Sequence, residues 1–361
     1  MVSIPDKPLH LKGLNGIRAI AATSVVISHL MLNLDNFGLA KINGGWNFAS
    51  FGVTMFFTLS GFLITYLLLL EKEKTKTISI KDFYIRRVLR IWPLYYLFIF
   101  ISCVTMYFYF RGQLSAGIIA FYICLGANIP AALNIALPLL GHYWSLGVEE
   151  QFYLIWPWLF KKYAPLKAVT LFLVCFLVIK LLLRFTMPHS FYYQFIVLTK
   201  FDCMAIGALF AILYNTKAML LTKYCFKNFT QLAGWSIFLI AAADRLNVSD
   251  FINHDIFSLA TGIIIINVAF NPKPLINLEN KLFNFLGRIS YGIYVYHVII
   301  IFLLGKLLIN RIPVFNSTLQ IIILVVLVLL ITIAIAFVSY NFYEKKFLLL
   351  KTKFSKILSR S

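Results

Sequence analysis

The sequence predicts an all-α polytopic membrane protein with about ten transmembrane helices, and three observations carry that expectation. Of 361 residues, 61% are apolar and only 13% charged, against roughly half and a quarter in a soluble domain. The mean hydropathy is +0.86. Apolar runs of spanning length recur along the whole chain. Ten such runs take up most of these residues and leave only short loops, so no separate soluble catalytic domain fits beside them.

The first run, 14–34, is longer than the apolar region of a signal peptide and no small-residue cleavage site follows it, so it is expected to persist as an anchor. Further runs lie at 51–70, 91–110, 144–160, 167–187, 198–215, 231–246, 256–270, 284–308 and 318–342. The stretch 115–127 (SAGIIAFYICLGA) has 13 residues, too few to cross a core of about 30 Å, and reads as a re-entrant or interfacial segment.

Loop charge tests this count. With the N-terminus on the cytoplasmic side, the inner segments hold 25 Lys and Arg, whereas the outer ones hold 5: Lys41, Arg111, Arg245, Lys306 and Arg311. Lys180, Arg184 and Lys200 fall within spans. Lys and Arg accumulate on the cytoplasmic side of membrane proteins, so the split supports ten spans with both termini cytoplasmic. Counting 115–127 as a full span would invert every later loop. The formal charge of +20 would suggest nucleic acid in a soluble protein; here topology accounts for most of it and no nucleic-acid partner is expected. The five cysteines (Cys103, Cys124, Cys175, Cys203, Cys225) form no C-x-x-C pair, so neither a metal site nor a disulfide framework is indicated. Residues 1–361 read as one domain, with a core at about 14–347 and a basic cytoplasmic tail at 348–361.

Ionisable side chains inside spans are costly and usually mark a site or a pathway. His29 lies eleven residues along the first span from Arg18, about 16 Å at 1.5 Å per residue, which puts Arg18 at the inner rim and His29 in the outer part. Glu149 and Glu150 fall near the outer end of the fourth span, Lys200 and Asp202 begin the sixth, and His142 sits in the loop before Trp144. Histidine, carboxylate and lysine together are the parts of a general acid/base site. The inner half collects cations: in KDFYIRRVLRIWP (81–93) the i, i+4 spacing of Arg86 and Arg90 places two guanidinium groups on one helix face, a fork suited to phosphate.

Each feature has a structural counterpart. Arg86, Arg87 and Arg90 equally suit anchoring to lipid headgroups, His29 an interhelical hydrogen bond, and Glu149 with Lys200 and Asp202 an ion-pair network. Lys180 and Arg184 are expected to snorkel, or to pair with Asp202 or Asp244. His297, among tyrosines in SYGIYVYH, reads as a packing and hydrogen-bonding residue.

The ordered strings LNGIRAIAATSVVISH (14–29), FGVTMFFTLSGFLI (51–64), RRVLRIWPLYY (86–96), HYWSLGVEEQFYLIWP (142–157), KFDCMAIGALFA (200–211), LGRISYGIYVYH (286–297) and SYNFYEKKF (339–347) together resemble the acyltransferase-3 family of bacterial integral-membrane O-acyltransferases. The resemblance implies transfer of an acyl group, most often acetyl, from cytoplasmic acyl-coenzyme A to a hydroxyl of an extracytoplasmic acceptor such as a cell-envelope glycan, without a metal. It implies that His29 is the essential histidine, Arg18 its partner and Glu149 the constant carboxylate. Arg86 and Arg90 would serve the coenzyme, with Ser60 and Gly61 in the element lining the pocket. Lys200, Asp202, His142 and Glu150 are secondary candidates. Asn15 stands where the family usually has Asp, and Lys200 where it usually has Arg. A membrane exporter or carrier of an acylated or anionic molecule is the alternative; it should show midplane helix breaks and internal repeats, neither of which is evident. The acceptor, the acyl chain and the oligomeric state are not encoded in any recognisable motif.

Overall fold

The computed structural model describes residues 10–40, 48–110, 115–249, 251–309 and 317–357. Lys41, Arg111 and Arg311, counted above among the outer charges, and residues 358–361 of the tail lie outside these ranges. Among the described residues all regular structure is helical. The helices are α1 (Leu14–Leu32), α2 (Phe48–Thr75), α3 (Ile80–Tyr109), α4 (Ala116–Ile123), α5 (Asn128–Ala132), α6 (Trp144–Lys162), α7 (Pro165–Thr186), α8 (Phe191–Thr199), α9 (Phe201–Cys225), α10 (Asn228–Ala242), α11 (Asn253–Phe270), α12 (Lys281–Arg288), α13 (Ser290–Leu308), α14 (Ser317–Ser339) and α15 (Lys345–Thr352). A π-helical turn, Tyr340–Glu344, joins α14 to α15.

Several boundaries follow from local chemistry. Ser79 caps α3, its hydroxyl accepting from the Asp82 N–H at 3.3 Å, with Asp82 in the first turn where a carboxylate suits the positive end of the helix. Ser190 and Asn280 cap α8 and α12 in the same way. Lys200 takes the left-handed conformation (φ 43°) between α8 and α9, so these two helices form one broken span, Phe191–Thr216.

Among the described residues eight helical segments are long and apolar enough to cross a membrane, against ten runs in the sequence. α10 has 15 residues, about 22 Å of rise. α6 reaches 19 residues but carries Glu149, Glu150, Lys161 and Lys162. The stretch expected to be re-entrant, 115–127, contains only the eight-residue α4 and turns at Leu125, where φ is 59°.

Helix α2 is the hub: 78% of its apolar window is buried, against 22% for α7, and it packs against α1, α9 and α11. Two glycines allow that approach. A Cβ on Gly61 would lie 1.9 Å from the Met204 carbonyl oxygen, and one on Gly207 would lie 1.9 Å from that of Thr58. Where lipid removes the hydrophobic drive between helices, close backbone contact at small residues is a main source of association. Facing α2 on the other side, α3, α6 and α13 close a second layer of buried aromatics including Phe57, Tyr95, Phe98, Tyr143 and Trp156. The polar interior described below lies between these two layers.

Candidate active site

Between α1, α2, α3, α6 and α13 lies a cavity of about 150 Å³ whose polar lining includes Asn15, Arg18, Ser60, Arg87, Arg90, Glu149 and Tyr153. Four helices supply these groups: α1 gives Asn15 and Arg18, α2 Ser60, α3 Arg87 and Arg90, and α6 Glu149 and Tyr153. Arg18 is held through a relay: its Nη1 donates to Asn15 Oδ1 (2.8 Å), the Asn15 amide donates to Asn284 Oδ1 (3.2 Å), and the Asn284 amide donates to Glu279 Oε1 (2.8 Å). Arg87 lies over the rings of Phe83 and Tyr153 at 5.6 and 5.5 Å, a favourable cation–π arrangement, while its Nε is buried without a hydrogen-bond partner. The Glu149 carboxylate accepts hydrogen bonds from the hydroxyls of Ser60 and Tyr153. None of Arg18, Arg87 and Arg90 is in an ion pair among the described residues.

A smaller cavity adjoins the first through Ile64, Leu67 and Arg87 and is lined also by Glu71, Arg86, Lys351 and Ser355. Here Arg86 pairs with Glu71 at 2.9 Å, and its Nη1 donates to the Phe354 carbonyl at 2.7 Å. The two arginines expected to share a fork are thus divided: Arg90 lines the main cavity, Arg86 the adjoining one. Arg87, one turn from Arg90, stands between them. Its i, i+3 spacing to Arg90 also marks a shared face, a signal available from the sequence.

At the other end of α1, His29 meets two further histidines. His29 Nδ1 lies 2.7 Å from His297 Nε2, and His297 Nδ1 lies 2.6 Å from the Tyr294 carbonyl. A carbonyl only accepts, so the proton of neutral His297 sits on Nδ1 and its Nε2 is an acceptor. His29 must then donate from Nδ1, which leaves its Nε2 as the unprotonated nitrogen. The two rings stack with centroids 4.9 Å apart; His29 is half-buried and His297 fully buried. His142 lies 5.0 Å, centroid to centroid, from His297. Burial pushes its imidazole down to about 3, and this neutral ring hydrogen-bonds the Val295 carbonyl through Nε2 at 3.2 Å, leaving a buried Nδ1 without a partner.

The histidine chain and the main cavity share a wall. Tyr294 and Ser145 line the cavity and hydrogen-bond to each other at 2.6 Å, and the backbone carbonyl of that same Tyr294 orients His297. His29 itself does not line the cavity. Glu149, expected beside the histidine, instead shares the cavity with the arginines; Glu150 accepts from Trp92 Nε1 at 2.9 Å. Ser60 faces the cavity, whereas Gly61 sits at the α2–α9 contact. His297 as the partner of His29, and Tyr153 as the partner of both Glu149 and Arg87, were not singled out by the sequence.

Lys200 and Asp202 belong to a separate cluster. Lys180 Nζ lies 2.7 Å from Asp202 Oδ2 and 3.4 Å from Asp255 Oδ2. Lys200 Nζ donates to Ser50 Oγ at 2.8 Å, and His254 contacts Thr54 Oγ1 at 2.9 Å. Asp202, Cys203 and Asp255 bring ligand-type atoms within 4.8 Å of one another. The Lys180 ammonium already supplies the positive charge between the two carboxylates.

Residues 11–337 match the acyltransferase domain of the acyltransferase-3 family. The O-acetyltransferase OatA of Staphylococcus aureus is 29% identical over 93% of this chain and 57% of its own length. The putative peptidoglycan O-acetyltransferase YrhL of Bacillus subtilis is 27% identical over 93% of this chain and 54% of its own. The peptidoglycan O-acetyltransferase OatA of Listeria monocytogenes is 36% identical over 41% of this chain and 24% of its own. The chain therefore spans little more than half the length of the first two relatives. No solved structure matches it. With most of its length inside the family match, and with the family's motifs at the cavity and the histidine chain just described, this chain belongs to the acyltransferase-3 family.

Proposed function

We propose that the chain is a multi-pass O-acetyltransferase of the bacterial cytoplasmic membrane that moves an acetyl group from cytoplasmic acetyl-coenzyme A to a hydroxyl of a cell-envelope glycan, with His29 as general base. The observation that carries this reading is one cavity with unpaired guanidinium groups in its lining, whose Ser145–Tyr294 wall is bonded into the histidine chain. The names of the relatives support an acetyl donor and a glycan acceptor, peptidoglycan in two of them.

Phosphate charges cannot enter hydrocarbon cheaply, so the nucleotide of the donor stays with Arg18, Arg86, Arg87 and Arg90 while its pantetheine arm extends past Ser145 and Tyr294. His29 Nε2 takes the proton of the acceptor hydroxyl as that oxygen adds to the thioester carbonyl. Collapse of the tetrahedral intermediate breaks the C–S bond, and the proton passes from His29 to the leaving thiolate. His297 fixes the tautomer that this role requires. Glu149, held by Ser60 and Tyr153, sets the polarity of the cavity near the arginines. The topology is ten spans, α6 and α10 among them, with both termini cytoplasmic, which keeps the arginine end on the side where the donor is made.

The experiment is acetyl transfer in reconstituted vesicles with labelled acetyl-coenzyme A. General acid–base catalysis contributes typically 10²–10⁴-fold, so His29→Ala is expected to lose about that much turnover with donor binding retained. Near-normal turnover contradicts the assignment.

A further inference from the structure

The family match ends at residue 337 and residues 348–361 read in sequence as a basic tail, yet the described part of that tail is folded against the arginines. The π-helical turn Tyr340–Glu344 adds a residue to the helical register just before α15, which packs on α3. The segment after it is tied down by Arg86 Nη1 donating to the Phe354 carbonyl and by Lys74 Nζ donating to the Lys356 carbonyl at 3.2 Å. Lys351 and Ser355 thereby become walls of the smaller cavity.

Lys351 is placed where a structural lysine gains nothing. It makes no ion pair among the described residues, and the cavity it lines also holds Arg86 and Arg87. Together the two cavities are lined by five cations and two carboxylates, Glu71 and Glu149. Only Arg86 is paired with either of them in an ion pair. Like charges gathered in a partly desolvated space repel strongly, so such a cluster suits a ligand carrying several negative charges. The buried, partnerless Nε of Arg87, common to both cavities, is an unused donor in the same place.

We propose that Lys351 is a donor-binding residue, the fifth cation of the phosphate site, and that the segment 351–357 forms the wall of that site farthest from the histidines. The ligand chemistry is a phosphate ester bearing more than one negative charge, and the source is the nucleotide part of the acyl donor. This rests on the reading of the arginine cavity as the donor site. Lys351 acts as a mobile point charge on a flexible stem, complementing the planar guanidinium groups.

The test is calorimetric titration of the full chain with coenzyme A in phosphatidylcholine nanodiscs, for wild type, Lys351→Gln, Lys351→Arg and, as a control, Lys353→Gln on an exposed position of the same segment. Hydrogen bonds to charged groups contribute roughly 1.5–3 kcal/mol, so Lys351→Gln is expected to weaken binding about tenfold or more. Lys351→Arg is expected to stay within about twofold of wild type, and Lys353→Gln to change nothing. Unchanged affinity in Lys351→Gln overturns the proposal and leaves the donor reading standing, whereas absence of coenzyme A binding in wild type overturns the donor reading itself. Native mass spectrometry in nanodiscs containing phosphatidylglycerol separates the lipid source. Loss of bound anionic lipid from Lys351→Gln, with coenzyme A affinity unchanged, contradicts the assignment. Should Lys351→Gln not fold, equal affinity of wild type for coenzyme A and for pantetheine, which lacks phosphate, overturns it.

Discussion

Two clusters of ionisable residues lie inside this helical bundle, and they solve the problem of buried charge in opposite ways. In the cluster of Lys180, Lys200, Asp202 and Asp255 the formal charges balance: Lys180 bridges both acids at 2.7 and 3.4 Å, while Lys200 donates to Ser50 Oγ. The arginine cavities gather Arg18, Arg86, Arg87, Arg90 and Lys351 around Glu71 and Glu149, and one of the five cations is in an ion pair. A bundle interior charges about 2.5–3.5 kcal/mol for each such residue on insertion scales. The first cluster is neutral in sum and holds both acids on one ammonium. The second leaves an excess that a multiply anionic ligand would neutralise, and so reads as a site.

The largest expected effects come from breaking this distinction on each side. Replacing Arg87 and Arg90 together with glutamine is expected to weaken coenzyme A binding about a hundredfold or more, at roughly 1.5–3 kcal/mol per charged contact, while thermal stability without ligand holds or rises because repulsion is relieved. Lys180→Met is expected to do the reverse. It strands two buried carboxylates, a change that costs roughly 3–5 kcal/mol, so the melting temperature in detergent falls sharply while any folded fraction binds coenzyme A normally. A loss of binding in Lys180→Met at full stability would erase the contrast.

A step smaller is the histidine chain. His297→Leu is expected to lower kcat about tenfold to a hundredfold with KM for the donor little changed, because His29 then loses the acceptor that fixes its tautomer. The pH profile of kcat is expected to shift as well. A purely structural role for His297 would lower stability without moving that profile. Gly61→Ala sharpens the packing side: its Cβ would meet the Met204 carbonyl at 1.9 Å, and overpacking of this kind costs about 1–3 kcal/mol, measurable as a lower melting temperature.

The smallest effect concerns Glu279, outside the spans. Partial burial pushes its carboxyl up, but hydrogen bonds from the Gly13 N–H, Asn284 and His10 outweigh that and hold it below the ordinary value of 4.5. A carboxyl lowered in the folded state contributes stability that is present above its unfolded pKa and is lost as pH falls through the folded one. Melting temperature should therefore decline as pH is lowered below about 4.5, and Glu279→Gln should flatten that decline.

Much of this was legible in the sequence, and the part that was not has a physical cause. Apolar runs gave the helices because backbone groups in lipid must bond within their own segment. Eight of the ten runs become helical segments that are apolar along their length; α6 differs because it carries Glu149 and Glu150, which face inward, and α10 because it has 15 residues. The motifs led to Arg18, His29, Ser60 and Glu149. The i, i+4 spacing of Arg86 and the i, i+3 spacing of Arg87 to Arg90 mark the same face equally well, and the rotation of α3 that divides them depends on packing against α13 and α15. The pairing of His29 with His297 spans 268 positions, and Lys351 looks like one more basic residue of a tail until the turn at Tyr340–Glu344 aims it inward.

The central claim, that excess positive charge marks the donor site, is tested most directly by thermal shift of the wild-type chain in nanodiscs with coenzyme A and with pantetheine at equal concentration. Coenzyme A, which brings phosphates to the five cations, is expected to raise the melting temperature, and pantetheine to leave it unchanged. Equal shifts from the two, or none from coenzyme A, would contradict the account.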